Sequence, residues 1–331
     1  MAVKIKHFIG VDVSKNKLDL VILNGNNFIG HDVIANNVED IKTYLKAFTD
    51  RKGFTLKNSV FCMEETGIYT TFLLRTLEKK SANIVIENAY HIKNSLGLKR
   101  EKSDKMDAHS IALYAYKNRE ELKLYQGQRP VMESLKLLES LRTRMITLRV
   151  ALNNTLNEQK IYLRVNLFAE QEELTKECKD ALIKSTDLIE NKIQNIFLND
   201  EHIDRLMTVV TSVTGIGPVT ARHIILTTNE FKKISDPRKY ACYAGVAPFK
   251  RSSGNIESKA RISRIANIKI KSLLTMCAIN AIKTDDTLKA YYLRKTKVEG
   301  KNKMCVINAI RYKLILRVFA CVKQNRIYIK S

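Results

Sequence analysis

The chain has 331 residues and carries 57 Lys and Arg against 34 Asp and Glu, a formal net charge of +23. With 45% hydrophobic residues and only 12 Gly and 4 Pro, the composition excludes a disordered or collagen-like chain. No apolar run approaches the roughly 20 residues that a membrane-spanning helix needs, so we expect a soluble protein without a membrane partner. The excess of positive charge predicts a polyanionic partner.

The charge is spread unevenly along the chain. Residues 201–331 hold 26 basic against 8 acidic residues, whereas residues 131–200 hold 10 against 11. Surplus charge that served solubility alone, which is the alternative, would not be expected to concentrate in one third of the chain. We therefore expect three domains, with the bounds 1–125, 126–203 and 204–331. Most contacts to nucleic-acid phosphates should fall in the last domain.

The cysteine pattern and the N-terminus indicate a cellular compartment. The six cysteines are scattered without any C-x-x-C spacing, which is typical of reduced thiols. The N-terminal apolar segment is short and contains an acid, so a signal peptide is not predicted. We expect a cytoplasmic protein of bacterial type.

Hydrophobic periodicity predicts an alternation of strands and helices in the first domain. The predicted elements are strands at 7–13, 18–23 and 28–34, a helix near 38–49, a strand at 59–64, a helix near 68–79, a strand at 83–87 and a helix from about 104 to 116. The first three strands read as an antiparallel meander, and the last two strands as a parallel crossover. This β-β-β-α-β-α-β-α order matches the ribonuclease-H-like fold.

Four acidic residues stand where a lone carboxylate is costly. Asp12 interrupts the first apolar strand, and Glu64 ends the fourth. Asp104 and Asp107 are three apart at a helix start, so they face one side and repel unless a cation lies between them. Hard oxygen ligands suit Mg²⁺ or Mn²⁺, and two such ions can serve phosphoryl transfer. For single residues, a helix cap at Asp104 or a solvated strand end at Glu64 or Glu65 is the alternative.

Basic residues flank the last acidic pair. They are Lys99, Arg100, Lys102 and Lys105. We expect them to hold a nucleic-acid backbone beside the acids, with a solvated basic loop as the alternative.

The middle domain is helical by its period from about Met132 to Leu198. Its apolar residues step by three and four, and the resulting seam consists of Leu138, Leu141, Met145, Leu148 and Leu152. We expect a long coiled-coil hairpin that pairs with another subunit. Packing against its own chain is the alternative.

The third domain begins with two helices joined by 214-TGIG-217, with Pro218 at the first position of the second helix. This spacing is the signature of a helix-hairpin-helix motif. Gly215 and Gly217 would let the backbone approach a phosphate, which the amide groups at the helix start would bind. A plain helical hairpin is the alternative.

A basic loop with two serines, Ser252 and Ser253, follows. No His or Asp base is visible nearby in the sequence, so a flexible loop with solvated charge competes with a catalytic serine. Cations in and beyond the loop could stabilise a serine oxyanion and a pentavalent phosphorus. They are Lys250, Arg251, Arg261 and Arg264.

Three blocks of sequence together resemble one known family over nearly the full chain. The first comprises 10-GVDVSKNKLDL-20, 63-MEETGIY-69 and 102-KSDKMDAHSIA-112. The second comprises 213-VTGIGPVTA-221, 244-AGVAPFKRSSG-254 and 261-RISRIANIKIKSLL-274, and the third is 291-YYLRKTKVEGKNKMCVINAIRYKL-314. In this order they resemble the transposases of the insertion sequence 110 family, the bridge-RNA-guided recombinases.

The resemblance implies an α/β plus α architecture. It comprises an N-terminal ribonuclease-H-like (RuvC-like) domain, a central helical coiled-coil hairpin and a mainly α C-terminal transposase domain with a helix-hairpin-helix. By motif position, the metal ligands are Asp12, Glu64, Asp104 and Asp107. The nucleophile is Ser253, and Ser252 is the second candidate for that role. Glu65 is the second candidate for the ligand position of Glu64.

The resemblance also implies an activity. The serine would attack a DNA phosphodiester and form a covalent phosphoserine link with help from Mg²⁺, and a structured guide (bridge) RNA would pair with donor and target DNA. A homodimer or homotetramer would bring the two sites together. Two alternatives stay open: a metal-dependent Holliday-junction resolvase or related nuclease that uses water, and a non-catalytic architectural DNA-binding protein.

Overall fold

The computed structural model describes residues 5–97, 103–253, 256–263 and 265–330, of which 250–253 and 256–259 are described by their backbone only. The chain divides into two compact units, Met1–Gly127 and Gln128–Ser331. The second compact unit contains both the predicted middle domain and the predicted last domain. Their separation into two domains stays a prediction. No helix among the described residues is long and apolar enough to cross a membrane.

The first unit is a five-stranded sheet with helices on both faces. Its strands are β1 (His7–Val13), β2 (Lys17–Asn24), β3 (Asn27–Ala35), β4 (Ser59–Glu64) and β5 (Asn83–Glu87). Its helices are α1 (Val38–Asp50), a 3₁₀ turn (Gly67–Thr70), α2 (Thr71–Lys79), α3 (Ala89–Ser95) and α4 (Asp104–Lys117). The strand order is β3-β2-β1-β4-β5, antiparallel across the first three strands and parallel between β1, β4 and β5. The predicted order of elements is therefore found, with the short α3 added.

The period-2 alternation of the strands separates two cores. Ile9 and Val11 of β1 pack on the face covered by α1 and α2. Phe8 of β1 and Cys62 of β4 pack on the opposite face, against Ala112 and its neighbours on α4. A residue two positions along a strand returns to the same face, so Asp12 and Glu64 belong to the face of α4.

The second unit is mainly helical. Its elements are α5 (Pro130–Tyr162), α6 (Val165–Leu198), α7 (Glu201–Thr211), α8 (Pro218–Thr228), α9 (Pro237–Tyr243), β6 (Pro248–Ser253), β7 (Ile256–Ile262), α10 (Ile268–Thr284), α11 (Asp286–Leu293), a π-helical turn (Arg294–Val298) and α12 (Lys303–Lys323). Tyr240, Leu274 and Ile310 are fully buried in the core that α7 to α12 share. The six cysteines of the chain are free thiols, as expected.

Helices α5 and α6 pack on each other as a hairpin. Of the five predicted seam residues, Leu138, Met145 and Leu152 are half-buried, whereas Leu141 and Leu148 are 39% and 50% exposed. Packing within the chain therefore explains only part of the seam. Pairing of the hairpin with a second subunit stays a prediction.

Ion pairs with little solvent exposure connect the α5–α6 hairpin to α8. Glu139 of α5 is almost fully buried and lies 3.0 Å from Nε2 of His223 on α8. Glu190 of α6 lies 2.5 Å from both Arg142 of α5 and Arg222 of α8. Burial opposes the ionisation of both carboxylates, but the partners facing them hold the pKa of Glu139 and of Glu190 below its usual value.

Candidate carboxylate site and serine hairpin

The four predicted acids lie on three neighbouring elements of the first unit. Asp12 is on β1, Glu64 is the last residue of β4, and Asp104 and Asp107 are in the first turn of α4. Strands β1 and β4 run parallel with Val11 opposite Met63, so the next residues, Asp12 and Glu64, are adjacent at one edge of the sheet. Ser103 caps α4 by accepting a hydrogen bond from the amide of Met106, which fixes the start of the helix at the acids.

Gly10 allows α4 to lie directly on the sheet. A Cβ added to Gly10 would stand 2.1 Å from the carbonyl oxygen of Ala108 and 2.3 Å from the amide nitrogen of Ala112. No side chain larger than hydrogen fits this contact. Asp12 follows Gly10 on the same face of β1, and Asp104 precedes Ala108 by one helical turn, so the close approach brings the two carboxylates into each other's field.

The carboxylates oppose one another's ionisation. Burial and the negative charges of Asp104, Asp107, Glu64 and Asp19 raise the pKa of Asp12 to about 6. Burial also raises the pKa of Glu64 from its usual value, against the opposing effect of Lys93. Among the described residues, no hydrogen bond or salt bridge reaches the side chains of Asp12, Glu64 or Asp107. The group therefore has excess negative charge that a cation would relieve.

Lys17 already neutralises part of this group. Its Nζ lies 2.7 Å from Oδ2 of Asp104 and 3.0 Å from Oδ2 of Asp19. Hydrogen bonds to these two carboxylates raise the pKa of Lys17 to about 12. His31 binds the other oxygen of Asp19 at 2.9 Å. Lys17 thus holds a carboxylate of the helix to a carboxylate of β2.

Two acids of this edge, Asp19 and Glu87, are absent from the sequence-based prediction. Asp19 lies opposite Asp12 and Glu87 lies opposite Glu64 in the sheet. Glu87 accepts hydrogen bonds from the hydroxyl of Tyr114, at 2.8 Å, and from His91, at 3.0 Å. Their signal was available, because each is an acid near the end of an otherwise apolar strand, as Asp12 and Glu64 are.

The donor chemistry of this edge fits a divalent cation. All four predicted ligands are carboxylates, the hard oxygen donors that Mg²⁺ and Mn²⁺ prefer. In the described part of the chain, however, no three His, Cys, Asp or Glu side chains are close enough together to hold a metal ion as they are placed. Asp104 is turned to Lys17 instead. Glu64, within β4, shares the α4 face, whereas Glu65 follows the strand and is exposed.

The predicted basic group is described only in part. Lys99, Arg100 and Lys102 lie outside the described residues. Lys105 is exposed on α4, and its Nζ lies 5.5 Å from the ring centroid of Phe28. Because Phe28 is itself 49% exposed, this cation–π pair presents a cationic and an aromatic group together at the surface.

In the second unit, α7 and α8 are joined by the predicted short turn. Gly215 has φ +93°, and an added Cβ would stand 2.7 Å from both the Cβ of Ala281 and the carbonyl oxygen of Cys277 on α10. Internal packing therefore requires a glycine there. Gly217 is the N-cap of α8, and an added Cβ would meet nothing within 4 Å. Phosphate binding by this turn stays a prediction.

The predicted serines lie on a β-hairpin rather than on an irregular loop. β6 pairs antiparallel with β7, and Ser253, the last residue of β6, is in register with Ile256. Ser252 is in register with Glu257. The expectation of a loop was wrong because a basic, weakly apolar segment carries no strand periodicity, and the cross-strand pairing itself orders it. Of the predicted cations, Lys250 and Arg251 are in β6, Arg261 is exposed in β7, and Arg264, like Gly254, lies outside the described residues.

Hydrogen bonds fix the root of this hairpin. The amide of Asn267 donates to the carbonyl of Tyr243 at 2.8 Å, and its side-chain amide donates to the Tyr243 hydroxyl at 2.9 Å. Asn308 of α12 donates to the carbonyl of Val246 at 2.7 Å. Gly245, with φ +65°, packs so tightly against Ala266 that a Cβ would stand 2.6 Å from the alanine methyl. The serine hairpin therefore extends from a hydrogen-bonded and closely packed base.

Two family models match the chain over the regions just described. The DEDD transposase model of the IS110 family, described as "Transposase", matches residues 9–159, and the model described as "Transposase IS116/IS110/IS902 family" matches residues 207–293. The first match contains the carboxylate edge, and the second contains the serine hairpin. These two domains, in this order, define a transposase. The chain belongs to the IS110 family.

Several individual proteins are also similar. The pilin gene-inverting protein of Moraxella bovis is 23% identical over 97% of this chain and 97% of its own length. The transposase for insertion sequence element IS1111A of Coxiella burnetii is 25% identical over 63% of this chain and 64% of its own. The solved structure of T. thermophilus RuvC in complex with a Holliday junction substrate matches at 14% identity and a TM-score of 0.29, covering 36% of this chain and 99% of that chain. At this TM-score the similarity alone does not establish a shared fold.

Proposed function

We propose that this protein is a DNA recombinase of an insertion sequence, which cuts and rejoins DNA through a covalent phosphoserine intermediate. Asp12, Glu64, Asp104 and Asp107 would form its Mg²⁺ site, and Ser253 would be its nucleophile. The observation that carries the proposal is the crowding of these carboxylates on one edge of the sheet, where burial and the neighbouring negative charges raise the pKa of Asp12 to about 6. The names of two relatives, a gene-inverting protein that aligns over 97% of both chains and a transposase that aligns over 63% of this chain, agree with recombination.

The proposed chemistry is a transesterification at phosphorus. The Ser253 oxygen forms a bond to the phosphorus of a DNA phosphodiester while the bond from phosphorus to one deoxyribose oxygen breaks. The serine hydroxyl loses its proton to a carboxylate of the acidic group, and the departing deoxyribose oxygen gains one. Because a phosphodiester is replaced by another phosphodiester, a second DNA hydroxyl can reverse the exchange, which joins a new strand and restores the serine.

The chain's own groups have distinct parts in this scheme. Asp12 and Glu64, on adjacent parallel strands, would hold the cation at the sheet edge, and the first turn of α4 would complete the ligand set. When bound, Mg²⁺ would offset the carboxylate charge and stabilise negative charge developing on phosphate oxygens. Without it, Lys17 holds Asp104 and Asp19. Lys250, Arg251, Arg261 and Arg264 supply positive charge along the segment that carries the serine.

The nucleic-acid partners follow from the charge. The excess of 26 basic over 8 acidic residues in 201–331 supports binding to the phosphate backbones of donor and target DNA. A structured guide RNA would supply sequence recognition by base pairing, so that the protein reads backbone and shape. The exposed apolar residues Leu141 and Leu148 on the nearly neutral helical hairpin support a homodimer or homotetramer, since like-charged chains meet there with little repulsion.

Trapping the intermediate tests this proposal. Protein, structured RNA, Mg²⁺ and labelled DNA are incubated and separated on a denaturing gel. We expect a covalent protein–DNA adduct from the wild type and from Ser258→Ala, a control in the same hairpin, and none from Ser253→Ala. Clean DNA cleavage that survives Ser253→Ala without any adduct would instead identify a nuclease that uses water. Tight binding with neither cleavage nor adduct would favour the architectural protein.

A further inference from the structure

Arg311 on α12 is a buried cation with no acidic partner among the described residues. The residue is 3% exposed, and none of the described carboxylates forms a salt bridge with it. Its guanidinium donates one hydrogen bond, from Nη1 to Oδ1 of Asn308 at 3.1 Å, and its buried Nε has no hydrogen-bond partner. Buried charges are ordinarily paired, because an ion removed from water without compensation is strongly disfavoured. Within the described part of the chain, this guanidinium therefore lacks the counter-ion that its burial requires.

A second cation lies beside it. Lys271 of α10 is half-buried, and its side-chain amine likewise forms no hydrogen bond or salt bridge with a described residue. Burial and the charge of Arg311 lower the pKa of Lys271, and burial lowers that of Arg311. Two like charges held together in a poorly solvated place repel each other. An anion between them would remove both the repulsion and the unmet hydrogen-bonding capacity.

The two cations lie at the base of the serine hairpin. Asn308, which accepts the hydrogen bond from Arg311, donates to the carbonyl of Val246, two residues before β6 begins. The Cδ of Lys271 lies 3.7 Å from where a Cβ of Gly245 would be. Lys271 also follows Asn267 on the first turn of α10, and Asn267 ties the other root of the hairpin to Tyr243. Arg311 is thus linked through Asn308 to one root of the hairpin. Lys271 lies near Gly245 on that root, and its backbone amide donates to the carbonyl of Asn267 on the other.

We propose that Arg311 and Lys271 form a phosphate-binding site, and that its ligand is a phosphodiester of the DNA strand on which the serine hairpin acts. A guanidinium presents paired donors that match two phosphate oxygens, and the lysine adds a mobile point charge. Asn308 fixes the guanidinium to the turn that precedes β6. A phosphate bound there would hold the DNA backbone at a set position relative to the hairpin.

The site itself is inferred from the described contacts, whereas DNA as its ligand rests on the function proposed above. RNA and free phosphate carry the same chemical group. DNA is favoured because the pair adjoins the hairpin that carries the proposed nucleophile for a DNA strand. The experiment therefore measures anion binding separately from DNA binding and from DNA chemistry.

The first measurement is thermal stability of the full-length protein in phosphate and in chloride at equal ionic strength. Arg311→Met removes the charge and keeps an unbranched chain, and Lys313→Gln removes an exposed charge from the same helix. We expect Arg311→Met to melt no lower than the wild type in chloride, because an uncompensated buried charge is gone. Phosphate should raise the melting temperature of the wild type and Lys313→Gln more than that of Arg311→Met, whose response reports general salt effects only.

A structural arginine would give the opposite pattern. If Arg311→Met lowers the melting temperature in chloride and responds to phosphate as the wild type does, the site is refuted. Lys271→Met is the second variant. The Lys271 side chain is only half-buried, so its replacement threatens folding less than replacement of Arg311 does. Lys271→Met should also lose the phosphate-specific stabilisation, and an undiminished response in this variant would equally overturn the paired site.

The second measurement is DNA affinity across a salt series with a labelled duplex, and with an RNA of the same length. Arg311→Met should weaken DNA binding about ten-fold and lower the slope of log affinity against log salt by about 1, as loss of one phosphate contact does. Lys313→Gln should change affinity by less than about two-fold. Phosphate-specific stabilisation with unchanged DNA affinity, or a loss confined to RNA, would overturn DNA as the ligand. Neither result depends on whether Ser253 forms an adduct.

Discussion

Gly10 on β1 lies against Ala108 on α4 so closely that any Cβ at Gly10 would stand 2.1 Å from the Ala108 carbonyl oxygen. This contact is what brings the first turn of α4, with Asp104 and Asp107, to the sheet edge that carries Asp12. A backbone contact two residues from Asp12 thus sets the spacing of the carboxylates. The geometry of the carboxylate site is consequently sensitive to a single methyl group added at Gly10, on the same face of β1 as Asp12.

Gly10→Ala should therefore displace α4 or unfold the first unit. Backbone atoms cannot yield as the end of a flexible side chain can, so we expect a loss of about 3 kcal/mol or more in the free energy of unfolding. Gly30→Ala on β3 is the matched control, because a Cβ there meets nothing within 4 Å. Urea unfolding of both variants measures the difference. Equal stability of Gly10→Ala and Gly30→Ala would contradict the described packing of α4.

Asp12→Asn should stabilise the protein when no divalent metal is bound. The pKa of Asp12 is raised to about 6 in the folded chain from the ordinary 3.8, so ionisation of Asp12 destabilises the fold as the pH rises from about 4 to 6. At pH 7 the amide should gain about 1 kcal/mol after allowance for solvent screening, and this gain should vanish below about pH 4.

Thermal melts in EDTA and in Mg²⁺ measure this effect, with the exposed Glu120→Gln as control. Mg²⁺ should raise the melting temperature of the wild type and of Glu120→Gln more than that of Asp12→Asn. Destabilisation by Asp12→Asn in EDTA would show that the carboxylates are not crowded as described.

For this edge of the sheet, the sequence predicts which elements carry the acids but not how their side chains pair. Alternation placed Asp12 and Glu64 on strands, and the apolar period predicted a helix from about Asp104. The cap of that helix is Ser103, whereas the sequence offered Asp104 as the candidate cap. The pairing of Lys17 with Asp104 was not predictable, because it joins two elements 87 positions apart through side-chain rotamers. Period and spacing report which residues share a face, but they carry no information on which cation turns towards which acid.

The second unit shows the same limit more strongly. The helices and the turn at Gly215 follow from periodicity and glycine placement. The β6–β7 hairpin does not, because its residues have little apolar alternation and its stability comes from its root on α9, α10 and α12. The burial of Arg311 was not predicted either, although Ile307, Leu314 and Ile315, three and four positions away on α12, are apolar and mark its face of the helix as buried.

Glu139→Gln should destabilise the second unit. Burial alone would raise the pKa of Glu139, but His223, Arg222 and Arg142 outweigh it and hold the pKa below its usual value. Loss of the negative charge leaves Arg222 and Arg142 to share Glu190 as their one remaining carboxylate among the described residues, which should cost about 3 kcal/mol. Glu173→Gln, at an exposed 3.9 Å pair with Lys176, should cost less than about 0.5 kcal/mol. Denaturant unfolding compares the two, and equal costs would argue against the buried network.

Asp285→Asn should reveal an acid-sensitive contact between α11 and α12. Burial would raise the pKa of Asp285, but hydrogen bonds from Thr287 and Arg317 outweigh it and bring the pKa to about 2. Because the folded pKa is depressed, the carboxylate stabilises the fold above about pH 4, and this contribution is lost as the pH falls towards 2. Asparagine keeps the helix cap but not the charge.

The expected cost of Asp285→Asn at pH 7 is about 2 kcal/mol, and it should shrink towards zero between about pH 4 and pH 2. Asp286→Asn, whose side chain is 90% exposed, is the neighbouring control and should change little. Urea unfolding across this pH range gives the comparison. A cost for Asp285→Asn that is the same at pH 7 and pH 2.5 would point to lost packing instead of a lost charge.

The central claim is that DNA becomes linked to the serine hairpin, and the most direct test is to locate the linkage. The trapped adduct is digested with nuclease and trypsin, which should release 252-SSGNIESK-259 as one peptide, and mass spectrometry reads the position of the attached nucleotide. The account predicts a nucleotide phosphate on Ser253. A nucleotide on Ser258 or on any other peptide, or cut DNA with this peptide unmodified, would contradict it.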